Sequence, residues 1–143
     1  MKVKLVPELD VTEMSASLNF YVTVCGFTIR YERPEERFAY LERDGVELML
    51  EQAEGPGRRF RTAPLEKPFG RGVNFQIEVR DVDALLTDIS AAGYIPFIAL
   101  EERWYRTDNG YVGHRQFAVA DPDGYVLRFF QDLGSRQRHS ELS

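Results

Sequence analysis

One cysteine, two histidines and one tryptophan are all this 143-residue chain holds of those residues, and each scarcity removes a class of chemistry. A single Cys25 can neither close an internal disulfide nor build a cysteine metal cluster; at the end of a helical stretch it reads as a small buried hydrophobe rather than a nucleophile. His139 sits in a polar tail, and His114 has no second ligand at strand or helix spacing, so the histidines outline no metal site. No apolar run approaches the roughly 20 residues of a membrane span, and Met1-Lys2-Val3-Lys4 leads into no apolar signal segment. A cytoplasmic protein without a membrane partner is expected. Positive charge is also short: 18 Lys and Arg against 23 Asp and Glu give a net charge of −5, which argues against a nucleic-acid partner. The basic residues that do gather, Arg58, Arg59, Arg61, Lys67 and Arg71, lie among Gly and Pro and read as a solvated connector.

What is present is a repeat. Val11, Met14, Leu18 and Tyr21 return as Val79, Val82, Leu86 and Ile89, and Gly26-Phe27 returns, one deletion later, as Gly93-Tyr94. Each copy begins with an alternating strand pattern (residues 3–11 in the first) and passes into an amphipathic helix. Thr12 is positioned as the N-cap of the first helix, and Gly26 and Gly93 stop the two helices. Strand patterns follow at 27–32, 37–43 and 45–52, then at 94–100, 114–120 and 125–131. Asp44-Gly45 and Asp123-Gly124 supply tight turns between neighbouring strands. The unit is therefore βαβββ, twice, an α+β fold in one domain over 1–133. Module one spans 3–52, a connector 53–72, module two 73–132, and 134–143 form a polar tail.

Ser17-Leu18-Asn19-Phe20-Tyr21 with Gly26-Phe27, and the run from Gly113-His114-Arg115-Gln116-Phe117 through Asp121-Pro122-Asp123-Gly124-Tyr125-Val126-Leu127-Arg128, resemble the vicinal oxygen chelate superfamily. That group includes glyoxalase I, extradiol dioxygenases and the bleomycin resistance proteins. The resemblance implies a curved, cup-like mixed sheet with helices outside, often completed by a second subunit. In the enzymes of the group it implies a divalent metal held by one side chain from the first and last strand of each module. Those four positions fall on Val6, Glu47, Asn74 and Arg128. Valine has no donor atom, arginine is a permanent cation, and asparagine offers only a weak carbonyl oxygen, so no metal and no cofactor are expected.

Steps of two along the strands place Val6, Glu8 and Asp10, then Glu47, Met49 and Glu51, then Asn74, Gln76 and Glu78, then Val126, Arg128 and Phe130 on the cup face. The alternate residues, among them Leu9, Leu48, Leu50, Ile77, Leu127 and Phe129, form the core. Arg128 is expected to pair with Glu47 in place of the metal. The polar stretch 101–111 reads as a loop whose Trp104, Tyr105 and Tyr111 form a stacking wall, and Phe38 and Tyr40 share a strand face that lines the cup. The candidate ligand-binding set is therefore Phe38, Tyr40, Glu47, Met49, Glu51, Asn74, Gln76, Trp104, Tyr105, Tyr111 and Arg128, with no catalytic residue. Superfamily members that lack the metal and carry an arginine near this position look like the bleomycin resistance proteins. The resemblance thus implies a bacterial homodimer that sequesters a cationic, bleomycin-type antibiotic without chemical change. Three alternatives stand beside it: a glyoxalase- or dioxygenase-type metalloenzyme using displaced ligands such as Glu8, Glu47, Glu51 and Glu78, a metal-free lyase or isomerase using Glu47 with Arg128 as its acid-base pair, and a structural or regulatory protein whose exposed aromatics bind another protein.

Overall fold

The computed structural model describes residues 2–137, which fold as two compact units. The first takes residues up to Arg71 and, from far along the chain, the turn Asp121–Tyr125; the second takes Gly72–Ala120 and the chain from Val126 onward. Each unit is built on a four-stranded mixed sheet.

In the first unit the strands are β1 (Glu8–Val11), β2 (Thr28–Arg33), β3 (Phe38–Arg43) and β4 (Val46–Gln52), in the order β1-β4-β3-β2 with β1 parallel to β4. Alternation holds: Leu9, Val11, Leu41, Leu48 and Leu50 are buried, while Glu8 is exposed and Asp10, Tyr40, Glu47 and Met49 are partly so. Asp44 and Gly45 take positive φ between β3 and β4, as their turn chemistry requires. β1 is shorter than the 3–11 expected, because Pro7 has no N–H to extend the ladder; its carbonyl still accepts from Met49 N at 2.9 Å. Val6 consequently lies outside the strand.

The first helix also departs from its pattern. Helix α1 (Met14–Leu18) passes into a π-helical segment, Asn19–Val24, where Cys25 N reaches back to Phe20 O at 2.9 Å. The wider turn rotates the buried stripe, so that Ser17, Phe20, Tyr21 and Cys25 go inside while Met14 and Leu18 stay partly exposed. Thr12 is not the N-cap. That position is Glu13, which makes no side-chain cap, and the amide of Met14 is instead satisfied by Gln52 Oε1 at 3.0 Å.

The second unit holds β5 (Asn74–Glu78), β6 (Ile98–Arg106), β7 (Gly110–Ala120) and β8 (Val126–Gln137), in the order β5-β8-β7-β6 with β5 parallel to β8. Helix α2 (Val82–Ala91) is capped by Asp81, whose carboxylate accepts from Ala84 N at 3.0 Å, and it buries Val82, Leu85 and Ile89. Residues 101–111, expected as a loop, are mostly strand: β6 and β7 form a long hairpin that turns at 107–109. The start of β6 shifts from 94 to 98, since Pro96 cannot donate to the ladder. β8 likewise continues through Gly134–Gln137, residues expected to open a polar tail; pairing with β7 compensates for their lack of apolar side chains. His139 and the rest of that tail lie outside the described residues. Among the described residues no helix is long and apolar enough to cross a membrane.

Candidate functional site

On the first unit's polar face, register sets Phe38 beside Glu51, Tyr40 beside Met49, Glu8 beside Met49 and Asp10 beside Glu51. Phe38, Tyr40, Glu47, Met49 and Glu51 therefore do share one face. β2 adds what the sequence pattern did not disclose. A bulge between Ile29 and Tyr31 inserts Arg30 into the ladder, letting it bridge to Glu47 at 2.9 Å while its guanidinium sits 5.5 Å from the Tyr40 ring centroid. Tyr31 stacks on Tyr40 with centroids 5.0 Å apart and planes 18° from parallel, and lies 6.2 Å from Phe38. Arg33 covers the outer face of Phe38 at 4.0 Å. Lys2, Val3, Arg30, Tyr31, Tyr40 and Glu47 line a cavity of about 340 Å³ at this shelf.

The electrostatics here are a mixture. Tyr40 donates its hydroxyl hydrogen to Glu47, and that bond, with some burial, holds the phenol above its ordinary pKa. Glu8 is raised by burial and then by the nearby charges of Glu51 and Asp10. Asp10 is paired with Arg61 at 3.1 Å. Glu51 is buried under the connector, where a Cβ added to Gly57 would come 1.6 Å from its Oε1. The connector is mostly exposed, as expected, but its arginines are engaged: Arg59 donates to the carbonyls of Gly55 and Gly57, Arg61 to Ala53 O at 2.8 Å, and Arg71 to Lys67 O at 2.6 Å. These cations are consumed in holding a Gly- and Pro-rich segment in place. A cavity of about 500 Å³, lined in part by Asp10, Phe60, Arg61, Leu65 and Arg71, lies under it.

In the second unit, Arg128 donates from Nε to Asn74 Oδ1 at 2.7 Å and from Nη2 to Gln76 Oε1 at 2.9 Å. Within its own unit each member of the expected Glu47–Arg128 pair already has partners: Glu47 is held by Arg30 and Tyr40, and Arg128 by two neutral amides. Farther along the sheet, Gln116 Nε2 donates to Glu101 at 2.9 Å and to the Tyr105 hydroxyl at 2.6 Å. His114 stacks on Phe130 with centroids 4.0 Å apart and meets Tyr105 edge-on at 5.4 Å. Gln116 Oε1 and His114 Nδ1 are buried without a partner among the described residues.

Strand geometry divides the expected aromatic wall. Tyr105 belongs with Gln116 and His114, whereas Trp104 faces the other way, across Gly113, with the guanidinium of Arg136 3.8 Å from its ring centroid. Tyr111 pairs with Arg106 and Arg136 on that second face. One side of the sheet cannot present all three rings.

The donor chemistry does not fit a divalent metal. Val6 supplies no ligand atom, Arg128 is a cation, Asn74 Oδ1 is already accepting from Arg128, and Glu47 is committed to Arg30 and Tyr40. Among the described residues no group of three or more His, Cys, Asp or Glu side chains is placed to hold a metal ion. Each unit is an α/β module with a mixed four-stranded sheet and a polar face built from arginines, carboxylates and tyrosines. The chain belongs to the Glyoxalase/Bleomycin resistance protein/Dioxygenase superfamily, whose model matches residues 7–129. It is 31% identical over 137 residues to bleomycin resistance proteins from Geobacillus stearothermophilus and Staphylococcus aureus, with 91% of this chain and 97% of theirs covered. The fold is similar to that of TioX from Micromonospora sp. ML1 (TM-score 0.69, 22% identity, 92% and 100% covered). It is also similar to that of TnmS3, an antibiotic binding protein from Streptomyces sp. CB03234 (TM-score 0.62, 22% identity, 92% and 98% covered).

Proposed function

We propose that this chain is a non-catalytic bacterial binding protein that sequesters an antibiotic-like small molecule in the cytoplasm, working as a homodimer with the ligand in a cleft that the second subunit completes. The observation that carries the proposal is the Tyr31–Tyr40–Phe38 shelf, two rings of which stack at 5.0 Å beside Glu47 and a cavity of about 340 Å³. Such a shelf takes a planar group by stacking, and the exposed carboxylate of Glu8, with Glu51 and Asp10 nearby, favours a cationic one. The names of the bleomycin resistance relatives, and of TnmS3 as an antibiotic binding protein, support this ligand class. Phe38, Tyr40, Glu47, Met49 and Glu51 are the proposed contacts of the first unit. A metalloenzyme reading is disfavoured by the donor set described above.

Calorimetry with metal-free bleomycin tests the proposal. About one ligand per subunit is expected, with affinity falling as salt rises and about tenfold weaker in Tyr40→Ala, which corresponds to about 1.4 kcal/mol for a lost stacking partner. Absence of binding at high micromolar bleomycin would retire that antibiotic as the ligand. Sedimentation of a tight-binding monomer would sink the dimer cleft.

A further inference from the structure

We propose that Arg128, on the sheet of the second unit, is a receptor for a carboxylate, a recognition element that goes beyond the aromatic shelf of the first unit. Guanidinium carries five N–H donors in a planar fork. Asn74 and Gln76 take the side-on edge, Nε and Nη2, at 2.7 and 2.9 Å. The end-on edge, Nη1 with the second hydrogen of Nη2, keeps its geometry for a two-oxygen partner.

The partners already present are neutral. Arg30, Arg33, Arg61, Arg71 and Arg115 each lie within 4 Å of a carboxylate. Among the described residues Arg128 has none, so its charge is oriented but not compensated. An arginine tied by two amides has already lost most of its rotamer freedom, about 2 kcal/mol of side-chain entropy that a loose arginine would lose on binding. Its neighbour across the ladder on β7 is Ala118, and Ala120 stands opposite Val126, so no long side chain of β7 competes for the free edge. Two residues from Ala118 on the same face, buried Gln116 keeps an unpartnered carbonyl oxygen. A charge-assisted, bidentate pair is the strong form of this contact, and the small side chains of Ala118 and Ala120 leave apolar room for the organic group of a carboxylate, which inorganic phosphate lacks.

The test uses the full-length ¹⁵N-labelled protein and three probes at fixed ionic strength: benzoate, benzamide and inorganic phosphate. Benzoate is expected to shift the Arg128 Nε–H and the Asn74 and Gln76 side-chain amide signals saturably, with a Kd of about 1–10 mM for so small a ligand. Benzamide and phosphate should bind at least fivefold more weakly. Arg128→Met should abolish the benzoate shifts of the neighbouring amides, and Asn74→Ala, which keeps the cation but loosens it, should weaken them severalfold. Equal response to benzamide, tighter binding of phosphate, or benzoate shifts that survive Arg128→Met would each overturn the assignment. The two proposals fail separately: a null calorimetric result with bleomycin, alongside Arg128-dependent benzoate binding, removes the antibiotic and leaves the carboxylate receptor.

Discussion

Replacing Tyr21 by Phe should destabilise the protein by an amount that grows with pH. Tyr21 is fully buried and donates its hydroxyl hydrogen to Asp121 Oδ2 at 2.7 Å, while Asp121 Oδ1 receives the amides of Asp123 and Tyr125 at 2.9 and 3.0 Å. Burial holds the Asp121 carboxyl above its ordinary pKa, and the three hydrogen bonds pull against that rise. A carboxyl with a raised folded pKa binds a proton on folding. Its contribution is therefore most favourable below its unfolded pKa of about 3.9, and stability is lost as pH climbs from there through the folded value. In Tyr21→Phe the anion loses one of its three donors, so the folded pKa moves further up and the loss extends to higher pH. Removing a buried hydrogen bond to a charged group costs about 1.5–3 kcal/mol, against about 1 kcal/mol for a neutral one. The gap between wild type and variant should thus fall toward about 1 kcal/mol as pH drops and the carboxyl takes up its proton, and rise toward about 1.5–3 kcal/mol as pH climbs and the carboxyl loses it. Tyr21 itself, raised well above the ordinary tyrosine value by burial and by Asp121, does not titrate in this range. Urea unfolding followed by circular dichroism from pH 4 to 7.5 measures the gap, provided the slopes match. A gap that is flat or shrinks with pH would refute the reasoning.

Two other outcomes are open to direct measurement. Gly113→Ala would bring a Cβ within 2.6 Å of the Trp104 ring, so the indole must shift; because the chain has a single tryptophan, a red-shifted emission maximum with a stability loss of about 1–3 kcal/mol should report it, and unchanged emission would contradict the packing. Cys25 is buried, and burial pushes its thiol up to about 12, so an aromatic disulfide reagent at pH 8 should label it only at the rate of unfolding; fast labelling of the native protein would show an open helix end.

Period-two alternation located the apolar core of β4, β5 and β8, where Leu48 and Leu50, Ile77, Leu127 and Phe129 went inside as their spacing required; it did not show that Glu51 and Phe130, on the other face, are buried as well. Helix α2 was equally legible, since Val82, Leu85 and Ile89 recur at helical spacing before Gly93, although its Asp81 cap was not read from the sequence. The strand expected at 27–32 is β2, although all six of its positions are exposed; the misjudged segment is the second half of β6, whose exposed ends carry no apolar alternation and which backbone pairing with β7 makes a strand. This is why Trp104 and Tyr105 read as loop residues and why Tyr31 escaped notice. The partner of Glu47 was beyond reach for another reason. It depends on a bulge that carries Arg30 toward Glu47, and nothing in the local sequence distinguishes that arginine from Arg33. Arg128 was found from a family position, but what holds it, the parallel pairing of β5 with β8, is a long-range fact.

The Asp121–Tyr125 turn gives the first unit a schedule. Tyr21 finds its acceptor 100 positions later, Thr12 N bonds Asp123 Oδ2 at 3.1 Å, and Tyr125 donates to Asp10 O at 2.9 Å. On the ribosome the strands of the first sheet are complete once Gln52 has emerged, yet a buried phenol stays unsatisfied until the chain reaches Asp121. The half that is made first is the half that must wait. A nascent or truncated chain ending at Arg71 would carry an open, polar wound in an otherwise apolar core, and this is the form that a protease or chaperone should recognise.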